Sequence, residues 1–157
     1  MTKSVDDTRA LAGAVASLVE AGDLLVLGGD LGAGKTAFTQ GLAQGLDVEG
    51  PVTSPAFVLV RSYEGRLPLT HIDVYRLDHI QEVVDLGMAE IVDSGGVTVV
   101  EWGDVVTPAL PADFLEVRLE QGDADDERVC VFAPAGPSWV PRMAALSEAV
   151  GSWSAAC

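Results

Sequence analysis

Gly29-Asp30-Leu31-Gly32-Ala33-Gly34-Lys35-Thr36 is the stretch on which the reading of the whole chain turns. It fits G-x-x-x-x-G-K-[ST], a loop whose glycines let successive backbone N–H groups point inward at phosphate oxygens. The flanks agree with it. Leu24-Leu25-Val26-Leu27 is a continuous apolar run, as in a strand buried on both faces. After Thr36, the residues Phe38, Leu42 and Leu46 recur at helical spacing. Strand, glycine-rich loop and helix are the context the pattern needs, whereas a tight turn with an incidental Lys-Thr would leave both flanks unexplained. Lys3 and Lys35 are the only lysines of the chain, so Lys35 is not drawn from a lysine-rich background. The loop from Asp30 through Leu31, Gly32, Ala33 and Gly34 to Ala37 supplies backbone donors at the positive end of the following helix. Lys35 adds a point charge at the β- and γ-phosphates, and the Thr36 hydroxyl is placed to ligate Mg²⁺. The pattern describes a nucleotide-binding protein.

At 157 residues the chain suits one domain, residues 1–157, with a sizeable core. No apolar run approaches the length of a membrane span, and Met1–Asp7 lacks the basic-then-apolar order of a signal peptide. Cys130 and Cys157 show no metal-ligand spacing; free thiols in a reducing cytoplasm are the simpler reading, a disulfide the alternative. Nine basic residues against 24 acidic ones give a formal charge of −15. Such a surface repels nucleic acid at long range, and no basic stripe interleaved with aromatics offsets it. Direct tight binding to RNA or DNA by this chain alone is not expected.

In chain order, residues 4–21 read as an amphipathic helix opened by Ser4 and Asp7, with Leu11, Val15, Leu18 and Val19 on its apolar face. Pro51 and Pro55 make 47–56 a loop. Residues 57–64 and 69–76, separated by a short turn, read as an antiparallel hairpin. Period two places Ile72 and Val74 on one face of its second strand and His71, Asp73 and Tyr75 on the other. That polar side suits either solvent or a nucleotide site, and periodicity alone does not choose. Residues 79–93 read as helical with a break near Gly87. Val97-Thr98-Val99-Val100-Glu101 is an apolar run ending in an acid, the form of a strand that delivers a carboxylate to Mg²⁺ beside a phosphate loop; a solvent-exposed strand end is the plainer alternative. Residues 114–120 and 128–132 form a second hairpin. Its Asp123-Asp125-Asp126-Glu127 turn lacks calcium-loop spacing and reads as solvated. A helix over 139–150 precedes a tail, 151–157, expected to fray. These elements give an α/β, three-layer P-loop NTPase fold with a mixed sheet, the two hairpins adding antiparallel strands.

Four segments together resemble one family. Residues 29–36 match its G-D-L-G-A-G-K-T; Thr53-Ser54-Pro55-Ala56-Phe57 matches T-S-P-T-F; His71-Ile72-Asp73-Val74-Tyr75-Arg76 matches H-x-D-x-Y-R; and Glu101-Trp102 matches an E-W pair. In this order and spacing, over roughly residues 5 to 135, the chain resembles the TsaE (YjeE) family. These are bacterial P-loop ATPases needed to form N6-threonylcarbamoyladenosine in tRNA. The resemblance implies that Lys35 and the loop bind ATP phosphates and that Thr36 and Glu101 hold Mg²⁺. It places Thr53 in a switch-like loop sensing the γ-phosphate, and Asp73 near the metal or its water as an acid needed for activity. It sets Trp102 beside the site and Thr8 near the nucleotide. Ala56 departs from the family's threonine, so no hydroxyl role is assigned there. The implied partners are the proteins TsaD and TsaB, with tRNA reached only through that complex, which agrees with the acidic surface.

The resemblance implies an ATPase that is slow alone, with either Arg76 or a partner's arginine to stabilise transition-state charge. A P-loop small-molecule kinase is the competing enzyme class, against which stands the lack of an arginine-rich lid segment after the core. A module using ATP only as a structural switch is a third. A guanine-selective N-K-x-D motif is missing, since neither lysine lies in one.

Overall fold

The computed structural model of the protein describes residues 1–55, 59–75 and 80–154. One sheet is built from β1 (Leu24–Gly28), β2 (Val60–Tyr63), β3 (Leu69–Asp73), β4 (Val97–Glu101), β5 (Phe114–Gln121) and β6 (Arg128–Ala135). Their spatial order is β2-β3-β4-β1-β5-β6. β1 runs parallel to both β4 and β5, β3 runs parallel to β4, and β2 and β6 close the edges as antiparallel partners of β3 and β5. The loop-bearing strand and the Glu101 strand are therefore parallel neighbours, with Leu27 opposite Glu101. Both hairpins supply antiparallel strands, as the sequence indicated. Ala56, Phe57, Arg76, Leu77 and Cys157 lie outside the described residues.

Two apolar cores flank the sheet. On one face α1 (Val5–Ala16) and α2 (Lys35–Gly45) bring Leu11, Val15, Phe38 and Leu42 against Leu25, Leu27, Val99 and Val117. On the other, α3 (Ile80–Asp85) and α4 (Met88–Val92) bring Val83, Met88 and Val92 against Leu24, Val26, Ile72 and Val100. Every β1 residue is buried, because its successive side chains enter opposite cores. The same alternation settles β3. Leu69 belongs to the α1/α2 core and Ile72 to the other, so His71 and Asp73 share the face beneath α2. The helical stretch at 79–93 is broken where expected, by Gly87 with φ 69° between α3 and α4.

The ends differ from the sequence reading. α1 stops at Ala16 rather than 21, where Ser17 turns its hydroxyl back onto the Ala14 carbonyl (2.7 Å). The helix expected over 139–150 is a 3₁₀ turn at Val140–Arg142, with Pro141 in it, followed by α5 (Met143–Ala149). Arg142 staples this segment to the α1–β1 turn. Its guanidinium meets both Asp23 carboxylate oxygens at 2.7 Å and lies 4.0 Å from the centre of the fully buried Trp139 ring. The tail expected to fray from Gly151 is instead docked as far as it is described. Gly151–Trp153 form a 3₁₀ turn, the Trp153 indole N–H donates to Asp7 Oδ1 (2.5 Å), and the Trp153 carbonyl accepts from the Met1 amine. Cys130 is a free, half-buried thiol on β6, pushed up to about 11 by burial. No helix among the described residues is long and apolar enough to cross a membrane.

Contact between α1 and α2 sets where the phosphate loop emerges, and it needs a bare backbone. A Cβ on Gly41 would sit 2.1 Å from the Arg9 carbonyl oxygen. Gly41→Ala should therefore lower stability by about 1–3 kcal/mol in urea unfolding despite alanine's better helix propensity; a neutral or stabilised variant would show that the helices are not this close. The tail contact gives a pH signature. Hydrogen bonds from Trp153 and the Lys3 N–H hold the Asp7 carboxyl below its usual 3.8. A depressed carboxyl contributes stability above its ordinary range and loses it as pH falls through the lowered value. Asp7→Asn should accordingly lower Tm at neutral pH, with the gap to wild type closing below about pH 4. A gap constant with pH would refute the assignment.

Candidate functional site

β1 ends at Gly28 and the chain must reverse into α2 within the loop. Gly29, at φ 133°, makes that reversal so close to β5 that a Cβ there would lie 2.3 Å from the Leu119 carbonyl oxygen. α2 then begins with no side-chain cap and no acidic residue in its first turn. Its free N–H groups and positive dipole end are left for an outside anion. Arg128, arriving from β6, donates to the carbonyls of Ala33 (3.0 Å) and Gly32 (3.3 Å) and holds the loop from outside.

Lys35 is only 5 % exposed. Its Nζ donates to the carbonyls of Gly29 (2.6 Å) and Asp30 (2.8 Å) and stands 3.6 Å from the centre of the Trp102 ring. Burial draws the amine below its usual range, opposed by the negative charges of Glu101, Asp104, Asp73 and Asp30. Trp102 takes a left-handed backbone conformation, φ 62°, directly after β4. A bulky residue holds that conformation at a cost of order 1–3 kcal/mol. The result is an indole in contact with both the Lys35 ammonium and the Tyr75 ring, whose centroid is 4.7 Å away at an interplanar angle of 37°.

Glu101 ends β4 with its carboxylate 3 % exposed. Thr36 Oγ1 donates to its Oε2 (3.3 Å), and His71 Nε2 lies 2.7 Å from its Oε1. Asp73, opposite Glu101 in the parallel β3–β4 register, is also buried. It accepts from Ser54 Oγ at Oδ2 and from the Tyr75 N–H at Oδ1, both at 2.9 Å. Burial of His71 and Asp73 decides between the two readings of the β3 polar face: it is turned to the loop, not to solvent.

These groups wall a cavity of about 370 Å³ where Lys35, Thr36, Asp73, Glu101 and Trp102 meet, with Leu31, Gly32, Gly34 and Ala37 of the loop. A second cavity of about 540 Å³ flanks the loop on the other side, lined by Asp30, Ala33, Val105 and Gln121 among others, with Trp102 as shared wall. Thr36 Oγ1 and Glu101 Oε2 are hard oxygen donors whose 3.3 Å separation suits neighbouring positions around Mg²⁺. Among the described residues no three His, Cys, Asp or Glu side chains form a metal cage, so a cation here would be completed by phosphate oxygens and water.

Two expected residues lie elsewhere. Thr8 is buried in α1, its hydroxyl engaged by Thr2 Oγ1 (2.8 Å) and the Ser4 carbonyl (3.2 Å), and it lines neither cavity. Thr53 faces a groove between α1, α2 and the loop that follows, with its backbone against the Tyr63 hydroxyl. Ser54 is the residue of that segment that reaches Asp73. Sequence reasoning gave no role to Ser54, His71 or Arg128. His71 carried a usable signal, being two residues from Asp73 on one strand face; Arg128 comes from a remote strand and carried none.

The chain matches the family model for threonylcarbamoyl adenosine biosynthesis protein TsaE over residues 2–130. It is 41 % identical over 136 residues to the tRNA threonylcarbamoyladenosine biosynthesis protein TsaE of Bacillus subtilis, covering 86 % of this chain and 84 % of the relative. The protein of the same name from Treponema pallidum is 45 % identical over 119 residues, covering 76 % of this chain and 88 % of that one. The crystal structure of Bacillus subtilis YdiB superposes with a TM-score of 0.78 at 36 % identity, covering 97 % of this chain and 92 % of that chain.

A ligand phosphate reaching Lys35 would meet its ammonium on the side that the Trp102 indole now covers, 3.6 Å from the ring centre. Addition of a nucleotide should therefore change tryptophan emission in the wild type. The change should vanish in Trp102→Phe, which keeps Trp139 and Trp153; an undiminished signal in that variant would place the responding indole elsewhere.

Proposed function

The chain belongs to the TsaE family, and from that premise we propose that it is a cytoplasmic, partner-dependent ATPase. It binds ATP with Mg²⁺ and supports formation of N6-threonylcarbamoyladenosine in tRNA together with TsaD and TsaB. The observation that carries this reading is the convergence of Lys35, Thr36, Asp73 and Glu101 on one cavity at the uncapped start of α2. The loop N–H groups and Lys35 bind the phosphates, with the Lys35 amine exchanging its carbonyl partners for phosphate oxygens. Thr36 and Glu101 hold the Mg²⁺, which when bound neutralises charge on the β- and γ-phosphates. Asp73, held by Ser54 and the Tyr75 N–H, orients the attacking water and accepts its proton. Trp102 and Tyr75 shield this end of the cavity from bulk water.

Among the described residues no arginine lines this cavity. Arg76, which follows Tyr75, lies outside the described residues, so either it or a partner's arginine answers the transition-state charge. On this reading turnover by the isolated chain is slow, and the partners complete the site or order its loops. A chain of charge −15 without a basic stripe reaches tRNA through those proteins rather than directly.

Steady-state ATP hydrolysis, alone and with TsaD and TsaB, tests this. Partners should raise the rate, on the order of 10³-fold where one of them brings an arginine to the γ-phosphate. Lys35→Ala should abolish both the basal and the stimulated rate. A wild-type rate unmoved by the partners would sink the partner-dependent reading.

A further inference from the structure

His71 is fully buried, and no step above uses it. It sits on β3 opposite Val99, and its side chain runs along the sheet to the neighbouring strand's Glu101, where Nε2 is 2.7 Å from Oε1. An ionised carboxylate only accepts, so Nε2 carries the proton and donates. The other ring nitrogen, Nδ1, is buried without a hydrogen-bond partner among the described residues. A histidine kept only for packing would be poorly chosen here, since an apolar side chain of similar volume would leave no buried polar atom unsatisfied. What the imidazole supplies is a single directed donor, and it is aimed at one oxygen of Glu101.

That oxygen is the one turned away from Thr36. Oε1 is held by His71, while Oε2 is beside Thr36 Oγ1 on the cavity wall. Without the imidazole, rotation about the last bond of the glutamate would be opposed only by the long Thr36 contact, and either oxygen could swing toward the Lys35 ammonium. We propose that His71 is a positioning residue that pins Glu101 through Oε1, so that Oε2 alone is offered, beside Thr36, to a divalent cation. The inference rests on the reading that Glu101 and Thr36 hold Mg²⁺, and it adds the group that fixes how Glu101 does so. His71 touches neither nucleotide nor cation; it acts through the carboxylate, as outer-shell donors to ligating carboxylates do.

The test is titration of MnCl₂, followed by electron paramagnetic resonance, into protein saturated with a non-hydrolysable ATP analogue. The wild type is compared with His71→Leu, His71→Gln and Glu101→Gln, alongside nucleotide affinity in EDTA and thermal unfolding of each. His71→Leu should weaken Mn²⁺ binding by about 10–100-fold while nucleotide affinity in EDTA stays at the wild-type value. His71→Gln places an amide N–H at the reach of Nε2 and should recover most of the loss. Equal affinity in His71→Leu and wild type overturns the proposal, and so does an equal loss in the Leu and Gln variants, which would mark a packing role. If His71→Leu does not fold, His71→Gln and His71→Asn decide. The asparagine amide is one methylene short of Oε1 and should lose Mn²⁺ affinity that glutamine keeps; equal affinities refute the idea. If Glu101→Gln binds Mn²⁺ as the wild type does, the metal reading of Glu101 fails and this inference with it. If Glu101→Gln is impaired and His71→Leu is not, only this inference fails.

Discussion

A carboxylate buried at the end of a central strand governs the architecture of this site. Glu101 is 3 % exposed, and removing such a charge from water costs several kcal/mol unless hydrogen bonds and opposite charge answer it. The answers come from two elements: the Thr36 hydroxyl and the charge of Lys35 from the first turn of α2, where the loop enters it, and the His71 imidazole from β3. The strand order β3-β4-β1 is what makes this possible, since it sets the Glu101 strand between the histidine and the loop. Moving any of the three would leave a buried charge unanswered. Loop, helix start and two strands are therefore tied to one another through one carboxylate.

Much of the fold was legible because its signals are local. An all-apolar run for β1, alternation in the two hairpins and Gly87 as a helix break each depend on a few neighbouring residues. The ends of elements were less legible, because distant partners decide them. α1 was read five residues too long, and its apolar residues past Ala16 do pack, but from a turn. The tail from Gly151 is mostly small residues around a single Trp153, and only the three-dimensional neighbourhood of Asp7 gives that indole somewhere to dock.

The same division holds within the site. Lys35, Thr36 and Glu101 were readable from motif and flank, since one strand–loop–helix unit and its neighbour strand carry them. The face of β3 was ambiguous because alternation says which residues share a side and not which layer covers it. Coverage by α2 turned His71 and Asp73 inward. Thr53 and Ser54 are adjacent in sequence but face different spaces, one a groove beside α1 and the other Asp73, and no periodicity in a proline-bounded loop separates them. Thr8 was transferred by likeness alone, and the hydrogen bonds around its hydroxyl are already made within the N-terminal segment.

The net charge sharpens what the site has to accomplish. At −15 the surface opposes any polyanion, yet beyond about 8 Å that opposition is screened at physiological salt. Attraction must then come from groups in contact, and those are few and fixed: one buried ammonium, the uncapped start of α2, and the oxygens of Thr36 and Glu101 that suit a divalent cation. Lys35 meets two carbonyls and an indole. On the proposed reading a phosphate would exchange neutral partners for charged ones, and the gain would be the difference between the two sets. Recognition of that kind is short-ranged and geometric. Under the proposed function it would favour a polyphosphate that brings its own cation over a nucleic acid strand that would have to approach along the acidic surface.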